Sequence, residues 1–353
     1  MAVIVAVSCL ATKDENYTAS QPKNIILFIG DGMGVAQLTA AISVAGAPLH
    51  IEGMPVAGLT MTSSYDDYVT DSGASGTAIA TGVKTRNGMI GMNQDSIVVH
   101  NITEIASRNG LATGILSTSS VTHATPAAFV AHVVSRNHQE DIALAFLNGT
   151  VDLFMGGGLR YFNSRRDGRN LVDSLKAMGY TVVTTPDELE VVTEGKVAGL
   201  FSESHLPTAG EGRPISLAAM TRKAIDILSS GENDKGFFMM VEASMIDWAG
   251  HDSDTEYNIQ ETLDLDEAVG EALAFAADDG NTLVIVTADH ETGGMALTGG
   301  SLSERRVEVI WPTTGHTAVM VPVFAYGPGA EKFSGIMQNT ELFERMVMGL
   351  GIK

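Results

Sequence analysis

Short apolar runs alternate along this chain with longer segments in which apolar residues recur at helical spacing. Runs such as NIILFIG (24–30) and TLVIVT (282–287) lack an alternation of apolar and polar residues, which is typical of strands buried on both faces. Strands that alternate with helices favour an α/β fold with a large, mostly parallel central sheet flanked by helices on both faces. In such a sheet, ligands bind at the carboxyl ends of the strands.

The chain has 353 residues, and we predict a single domain over residues 23–353. Predicted strands lie at 25–29, 58–62, 113–117, 151–155, 237–241, 282–287 and 319–324, and predicted helices at 101–109, 139–148, 214–229, 256–277 and 339–349. The stretch 156–215 is the least regular, with a glycine triplet, a basic patch and an acidic run. We interpret it as a small peripheral insertion of the same domain.

Residues 1–22 are predicted to lie outside that domain. The apolar stretch 2–8 is far shorter than the ~20 residues that span a bilayer. We interpret 1–22 as the remnant of an export signal followed by a leader, which predicts a periplasmic or secreted protein. A lipid anchor at Cys9 and a frayed start before the first strand are the alternatives. No other run has the length and apolar character of a transmembrane helix.

Charge and cysteine content narrow the function classes. The net charge of −21 repels nucleic-acid phosphates, so we expect no nucleic-acid-binding role. A small phosphate substrate is not excluded, because local cations can reverse the field in one cleft. The single cysteine excludes an intrachain disulfide and a cysteine-based zinc site. Any metal must therefore be held by His, Asp, Glu or hydroxyl groups.

Acidic residues and histidines gather at the ends of predicted strands. Singly, an Asp after a strand is often a helix cap, and a lone His is often a hydrogen-bonded loop residue. Together they would converge on one edge of the sheet, where carboxylates repel one another unless cations offset their charge. Mixed His and Asp sets suit zinc, and sets richer in carboxylate and hydroxyl suit magnesium. The candidates are Asp31, Glu242, Asp247, His251, Asp289, His290 and His316.

The candidate nucleophile is Ser72, in the segment VTDSGASGTAIATG (69–82). Small residues and a helical run follow it, so Ser72 would lie near a helix N-terminus, where unpaired backbone N–H groups attract anions. The alternative is that Ser72 only caps a tightly packed helix.

The segment HATPAAFVAHVVSR (123–136) ends in a candidate anion-binding residue, Arg136. Pro126 is well placed for the first turn of a helix. The Arg136 guanidinium could hold two phosphate oxygens at once. Alternatively, as a lone arginine, it would belong to a surface ion pair.

Six segments together resemble the alkaline phosphatase family. They occur in the family's order and cover most of the chain: NIILFIGDGMG, VTDSGASGTAIATG, HATPAAFVAHVVSR, VEASMIDWAGHDSD, TADHETGG and TGHT. The resemblance implies a catalytic domain that hydrolyses small-molecule phosphate monoesters through a phosphoserine at Ser72. It also implies two zinc ions, one magnesium ion and a homodimer.

The resemblance further implies a role for each matched residue. Asp247, His251 and His316 would bind the first zinc, and Asp31, Asp289 and His290 the second. Asp31, Thr125 and Glu242 would form the magnesium site. Arg136 would bind the phosphate that reacts with Ser72.

Two positions depart from the family's pattern. His123 stands where some members have Asp, and Trp248 where some have Lys. We expect both to lie near the phosphate. An imidazole at His123 would change the metal preference of the third site or bind a water held by magnesium, and losing a cation at Trp248 would weaken phosphate retention. The stretch 291–315 is shorter than in members with a large dimer-capping insertion, so we expect a lean dimer interface.

Two other functions stay open at this point. One is a phosphodiesterase or sulfatase on the same metal scaffold, although the Ser-x-Pro-x-Arg segment of sulfatases is absent from the sequence. The other is a noncatalytic phosphate or metal scavenger, against which the serine beside two metal-ligand sets argues. The composition also indicates a flexible backbone, since the chain has few prolines (10) and many glycines (38) and methionines (17). Cold adaptation and drift are alternative explanations for this composition.

Overall fold

The computed structural model describes residues 21–230 and 234–353. The predictions for the leader, including Cys9, fall almost entirely outside these residues. Within the described ranges, no helix combines the length and apolar character needed to cross a membrane.

A ten-stranded sheet forms the centre of the molecule, in the order β14-β2-β13-β8-β1-β7-β3-β4-β6-β5. All neighbours in it are parallel except β13, which is antiparallel to both β2 and β8. The strands are β1 (Asn24–Gly30), β2 (Val56–Met61), β3 (Ala112–Ser120), β4 (Leu153–Gly157), β5 (Tyr180–Val183), β6 (Lys196–Leu200), β7 (Phe237–Ala243), β8 (Thr282–Thr287), β9 (Glu291–Thr292), β10 (Ala296–Ser301), β11 (Arg306–Ile310), β12 (His316–Thr317), β13 (Val321–Tyr326) and β14 (Gly335–Gln338). The predicted α/β class with a mostly parallel sheet is confirmed.

The sequence of β1 explains why the sheet is covered on both faces. All seven of its residues are buried. Ile25, Leu27 and Ile29 pack into one apolar cluster, and Ile26 and Phe28 into another on the opposite face. Because each buried side chain of this size contributes roughly 1.5–3 kcal/mol, both faces need a layer of helices.

Helices supply that cover. Those that contribute to the first cluster include α2, α3, α5 and α12, and those of the second include α1, α9 and α11. The helices are α1 (Val35–Val44), α2 (Ser72–Thr81), α3 (Ile102–Arg108), α4 (Ala124–Ala128), α5 (Gln139–Ala145), α6 (Arg160–Asn163), α7 (Leu171–Ala177), α8 (Pro186–Glu190), α9 (Leu217–Ser229), α10 (Met245–Asp252), α11 (Thr255–Asp279) and α12 (Asn339–Leu350).

The structure differs from the sequence expectations mainly at the rim of the sheet. The strands predicted at 151–155 and 319–324 each begin two residues later than expected. Residues 156–215 contain β5 and β6, which form one edge of the main sheet, together with α6, α7 and α8. Both strands are short, at four and five residues, and β5 mixes exposed with buried positions, which weakens their sequence signal.

An insertion between β8 and β13 carries two small antiparallel pairs. One pairs β9 with β12, so that His316 lies opposite Thr292, and the other is the hairpin of β10 and β11. The first pair brings residues from both ends of the insertion to the carboxyl edge of the sheet.

Candidate active site

The candidate site lies where three central strands end. β1 lies between β7 and β8, and Ile29 is level with Glu242 on one side and Thr287 on the other. Asp31 follows β1 and Asp289 follows β8, so parallel register brings these three carboxylates to one edge. Gly32 directly follows Asp31 and has φ +75°. A Cβ at Gly32 would lie 2.7 Å from the Asp247 Cα, so only glycine fits this turn.

The closed cluster consists of Asp31, Asp289 and His290, whose side chains are fully buried. His290 Nε2 lies 3.4 Å from Asp31 Oδ1 and 3.3 Å from Asp289 Oδ2. Burial, followed by repulsion from Asp289, raises the pKa of Asp31 well above its ordinary value. Burial also lowers the pKa of His290, so that its ring is neutral near neutral pH, which is the form in which an imidazole can bind a metal.

The open cluster consists of Asp247, His251 and His316. Asp247 and His251 share one face of α10, as their spacing predicts, and Asp247 Oδ1 lies 3.3 Å from His251 Nε2 and 3.4 Å from His316 Nε2. The Nδ1–H groups of the two histidines donate to the carbonyls of Thr314 (2.5 Å) and Thr70 (2.8 Å), which orients both Nε2 atoms toward Asp247. The hydrogen bond to Asp247 outweighs burial and raises the pKa of His251 to about 9.

The third cluster consists of Asp31, His123 and Glu242, whose ligand atoms lie within 4.8 Å of one another. Glu242 Oε2 accepts a hydrogen bond of 2.5 Å from Ser117 Oγ, and Thr125 Oγ1 lies 3.5 Å from Asp31 Oδ2. Burial raises the pKa of Glu242 to about 7 and, with the nearby Arg136, lowers that of His123 to about 3.

Ser72 is the first residue of α2, with its hydroxyl oxygen 3.2 Å from His290 Nε2. The helix cap is Asp71, whose carboxylate accepts the Ala74 N–H at 2.9 Å. The capping interpretation of Ser72 is therefore wrong, and its hydroxyl faces the closed cluster instead. Ser75 Oγ donates to the Asp289 carbonyl at 2.7 Å, which fixes α2 against the end of β8.

Arg136 reaches the same site from the loop after α4. Its Nη1 donates to Asp71 Oδ2 at 2.9 Å, and its Nη2 lies 3.4 Å from His123 Nε2. The side chain of Arg136 is 24% exposed and that of Asp71 is 19% exposed, so the ion pair between them is half-buried. Its guanidinium is held beside the helix start that carries Ser72, where both it and the helix N-terminus favour an anion.

Four buried polar atoms of the site lack a hydrogen-bond partner among the described residues: Asp31 Oδ1, Asp289 Oδ2, Glu242 Oε1 and His123 Nδ1. Buried polar atoms are almost always paired, so unpaired ones point to a functional role or to a bound ion or water. Carboxylate and imidazole donors in this mixture suit divalent cations. The residues present therefore fit metal ions.

Sequence reasoning missed several residues that shape the site. Thr292 Oγ1 donates to Asp247 Oδ1 at 2.5 Å and lies 3.3 Å from His290 Nδ1, so it links the open and closed clusters. Glu291 is buried and accepts a hydrogen bond from Gln37 at 2.7 Å, which anchors the loop beside Thr292. Their place inside the motif TADHETGG was the only available signal, because the contacts join segments far apart in the chain.

Trp248, on α10, packs edge to face against His123 with 6.0 Å between ring centroids. A third ring, His205, completes this group. Trp248 thus stands beside the third cluster rather than in the metal-ligand sets.

Comparison with known proteins shows that the family profile described as alkaline phosphatase matches residues 22–304 and 298–352. Alkaline phosphatase 4 of Bacillus subtilis is 35% identical, covering 90% of this chain and 87% of that protein. Alkaline phosphatase of Escherichia coli is 36% identical, covering 94% and 86%.

Solved structures show the same similarity. The alkaline phosphatase of the Antarctic bacterium TAB5 superposes with a TM-score of 0.90 at 41% identity, covering 94% of this chain and 99% of that one. A variant of that enzyme with one histidine replaced by aspartate has Mg bound in its M3 site. A cold-active alkaline phosphatase from a psychrophilic Shewanella gives a TM-score of 0.85 at 31% identity, covering 93% and 99%.

Proposed function

This chain belongs to the alkaline phosphatase family, and from that premise we propose that it hydrolyses phosphate monoesters through a phosphoserine at Ser72. Membership of the family makes it a metal-dependent phosphate monoester hydrolase. The observation that carries the finer proposal is the Ser72 hydroxyl at a helix start, 3.2 Å from His290 of the closed cluster.

Each cluster has an assigned ion in this proposal. The open cluster holds one zinc, the closed cluster holds the second, and the third cluster, with Thr125, holds a magnesium-type ion. The magnesium-bound variant of the Antarctic relative supports the last assignment. When bound, such ions lower the pKa of a neighbouring hydroxyl or water and neutralise charge on phosphoryl oxygens.

The chain's own groups position the reacting atoms. Ser72 Oγ attacks phosphorus, and as the Oγ–P bond forms the bond from phosphorus to the leaving alcohol breaks. Arg136 and the backbone N–H groups at the start of α2 hold the phosphoryl oxygens, and Asp71 keeps the guanidinium in place. Water then cleaves the phosphoserine, and two displacements predict net retention at phosphorus.

Replacement of the nucleophile tests this proposal. Ser72→Ala removes the attacking oxygen, so we expect kcat/KM for p-nitrophenyl phosphate to fall on the order of 10³-fold or more. We also expect the rapid burst of phosphoenzyme to disappear, while Ser303→Ala, on the exposed β10–β11 turn, keeps wild-type kinetics. A burst that survives in Ser72→Ala would show that another residue is the nucleophile.

We also propose that the enzyme is a homodimer. The Nδ1–H of His316 donates to the Thr70 carbonyl, which holds two distant segments together. Exposed apolar side chains occur close to both residues in the sequence. Tyr68, two residues before Thr70, is 83% exposed, and Val319, three residues after His316, is 54% exposed. Adjoining exposed apolar groups are typical of protein interfaces. Light scattering of the purified protein would decide between one and two copies.

The cellular setting is a proposal as well. The interpretation of residues 1–22 as the remnant of an export signal supports a periplasmic or secreted enzyme. The Antarctic and psychrophilic relatives, together with low proline content, support cold adaptation. A low temperature of half-inactivation combined with high kcat in the cold would support this.

A further inference from the structure

Three aromatic rings form a group beside the third cluster. His205 packs edge to face against Trp248, with ring centroids 4.6 Å apart and planes at 89°. It makes a second edge contact with His123, at 5.8 Å and 88°. Trp248 and His123 also meet edge to face, so each ring of the group touches the other two.

His205 lies on the long connection between β6 and α9, and several contacts fix that connection in place. The backbone N–H of Ser120, at the end of β3, donates to His205 Nδ1 at 3.1 Å, which sets the plane of the ring. The next residue, Leu206, donates its N–H to the Thr118 carbonyl at 3.2 Å. A Cβ on Gly157, at the end of β4, would lie 2.0 Å from the Ser204 carbonyl oxygen, so the connection is seated directly on the sheet edge.

A buried ion cluster holds the far end of the same connection. Arg213 donates to Glu261 at 2.6 Å and to Asp264 at 2.5 Å, both on α11, and its side chain is only 3% exposed. Breaking such a buried pair is strongly destabilising, because it leaves an uncompensated charge. The segment that carries His205 is therefore held at both ends.

One ring of the group, His123, contacts Arg136, the arginine proposed to bind phosphate. His123 Nε2 lies 3.4 Å from Arg136 Nη2, and Arg136 also donates to Asp71, the cap of the helix that begins with Ser72. A shift of His205 would release the Trp248 and His123 rings, and His123 would then no longer limit the position of the guanidinium.

We propose that His205 is a positioning residue, which acts through Trp248 and His123 to set how tightly the site binds phosphate. This inference rests on the proposed function, since it takes phosphate to bind at Arg136. Two edge-to-face contacts determine the arrangement, and contacts of this kind have measurable energies beyond the burial of area.

Two variants separate the ring of His205 from its hydrogen bond. His205→Asn retains a side-chain acceptor for the Ser120 N–H but removes the ring, and His205→Phe retains the ring but removes the acceptor. Both are made in a Trp311→Phe background. Because the chain has only two tryptophans, the fluorescence then reports on Trp248 alone.

The holoenzyme is titrated with inorganic phosphate, and the change in Trp248 emission gives the dissociation constant. The inhibition constant of phosphate is measured separately, with p-nitrophenyl phosphate as the substrate. We expect His205→Asn to raise the dissociation and inhibition constants for phosphate about three- to tenfold. It should also make Trp248 more accessible to acrylamide quenching. We expect His205→Phe to return both readouts to within about twofold of the parent, and His50→Asn, on an exposed turn, to match the parent.

Unchanged phosphate constants and unchanged quenching in His205→Asn would overturn the proposal. So would a His205→Phe variant that behaves like His205→Asn, because the ring would then not be the operative feature. If His205→Asn does not fold, His205→Gln takes its place in the same comparison. The dissociation constant from Trp248 emission and the acrylamide quenching are both measured without turnover, so these two outcomes are independent of whether Ser72→Ala abolishes the phosphoenzyme.

Discussion

The closed and open clusters are built from the same residue types but differ in their surroundings. The closed cluster has two carboxylates and one histidine, all fully buried, whereas in the open cluster His251 is 40% exposed and one carboxylate meets two histidines. Burial raises the pKa of Asp31 and lowers that of His290, while hydrogen bonding to Asp247 raises the pKa of His251.

This difference indicates how much each cluster depends on bound cations. In the open cluster, imidazoles can balance the charge of Asp247, and its pKa stays well below the ordinary value despite burial. In the closed cluster, Asp31 Oδ1 and Asp289 Oδ2 have no hydrogen-bond partner among the described residues. We therefore expect the closed cluster to bind its ion more tightly than the open cluster does. We also expect it to lose more metal affinity when one of its side chains is removed.

The largest expected effect compares one histidine from each cluster. We expect His290→Ala to lower kcat/KM on the order of 10³-fold or more, because it removes a buried imidazole that we propose as a zinc ligand beside Ser72. We expect His251→Ala to lower kcat/KM on the order of 10²-fold and to recover partly in excess zinc, because water can take the place of an exposed proposed ligand. For both variants, kcat/KM is measured with and without added zinc, and the metal content is measured by elemental analysis after dialysis.

His138→Ala is the control for that pair, because His138 is about half exposed and lies outside all three clusters. It should keep wild-type activity and metal content. Equal loss of activity and metal in His290→Ala and His251→Ala would contradict the distinction between a closed and an open cluster.

An intermediate effect is expected where the two clusters are joined. Thr292→Val keeps the shape of the side chain but removes the hydroxyl that bonds to Asp247. Groups that orient metal ligands typically contribute 10–100-fold to affinity, so we expect zinc binding to weaken by roughly that factor. Competition with a chromophoric chelator measures it.

Thr221→Val provides a matched control, because Thr221 is also fully buried and its hydroxyl has no hydrogen-bond partner among the described residues. Its replacement should leave zinc affinity unchanged and stability unchanged or slightly higher. If Thr292→Val binds zinc like Thr221→Val, the link between the clusters does not orient Asp247.

The smallest effect concerns a carboxylate–histidine pair that needs no metal. Glu104, on α3, lies 3.1 Å from His132 Nε2 and 3.0 Å from His100 Nδ1. Burial opposes the charge of Glu104, yet the bond to His132 outweighs it and lowers the pKa to about 2, while the pKa of His132 is raised. We expect Glu104→Gln to lower the free energy of unfolding by about 1 kcal/mol.

The sign of each shift sets the pH window for this loss. The contribution of Glu104 is present above its ordinary pKa of 4.5 and lost as pH falls toward 2. The contribution of charged His132 is complete below its ordinary pKa of 6.5 and lost as pH rises through the raised value. Urea unfolding should show a larger difference near pH ~5.5 than near pH ~9. A chelator-dependent difference would mean that the pair is not independent of the metal clusters.

Much of the site could be predicted because its residues lie next to strong local signals. Asp31 and Asp289 follow fully buried strands, and Asp247 and His251 are one helical turn apart, so local periodicity indicates where each side chain emerges. The resemblance then ordered these separate signals into ligand sets. The structure brings the residues of each set together, and their roles as ligands stay a proposal.

The parts that sequence reasoning missed depend on contacts between distant segments. β5 and β6 are recognisable only once they pair at the edge of the sheet. Whether Ser72 caps its helix or faces His290 is decided by the position of β8 relative to α2. His205 has no neighbour in sequence that suggests a role, and it meets Trp248 only because the connection after β6 folds back over the sheet.

The sequence by itself determined the α/β class, the residues buried on both faces of the central strands and the chemical types available to hold metal. Local periodicity carries that information, because burial and helix formation depend on the spacing of apolar residues along the chain. Only the tertiary structure decided which carboxylate oxygens lack a hydrogen-bond partner among the described residues, which cluster is closed to solvent and which ring lies against Arg136. Those properties arise from the packing of segments distant in the chain, and spacing along one segment does not encode its distance from another.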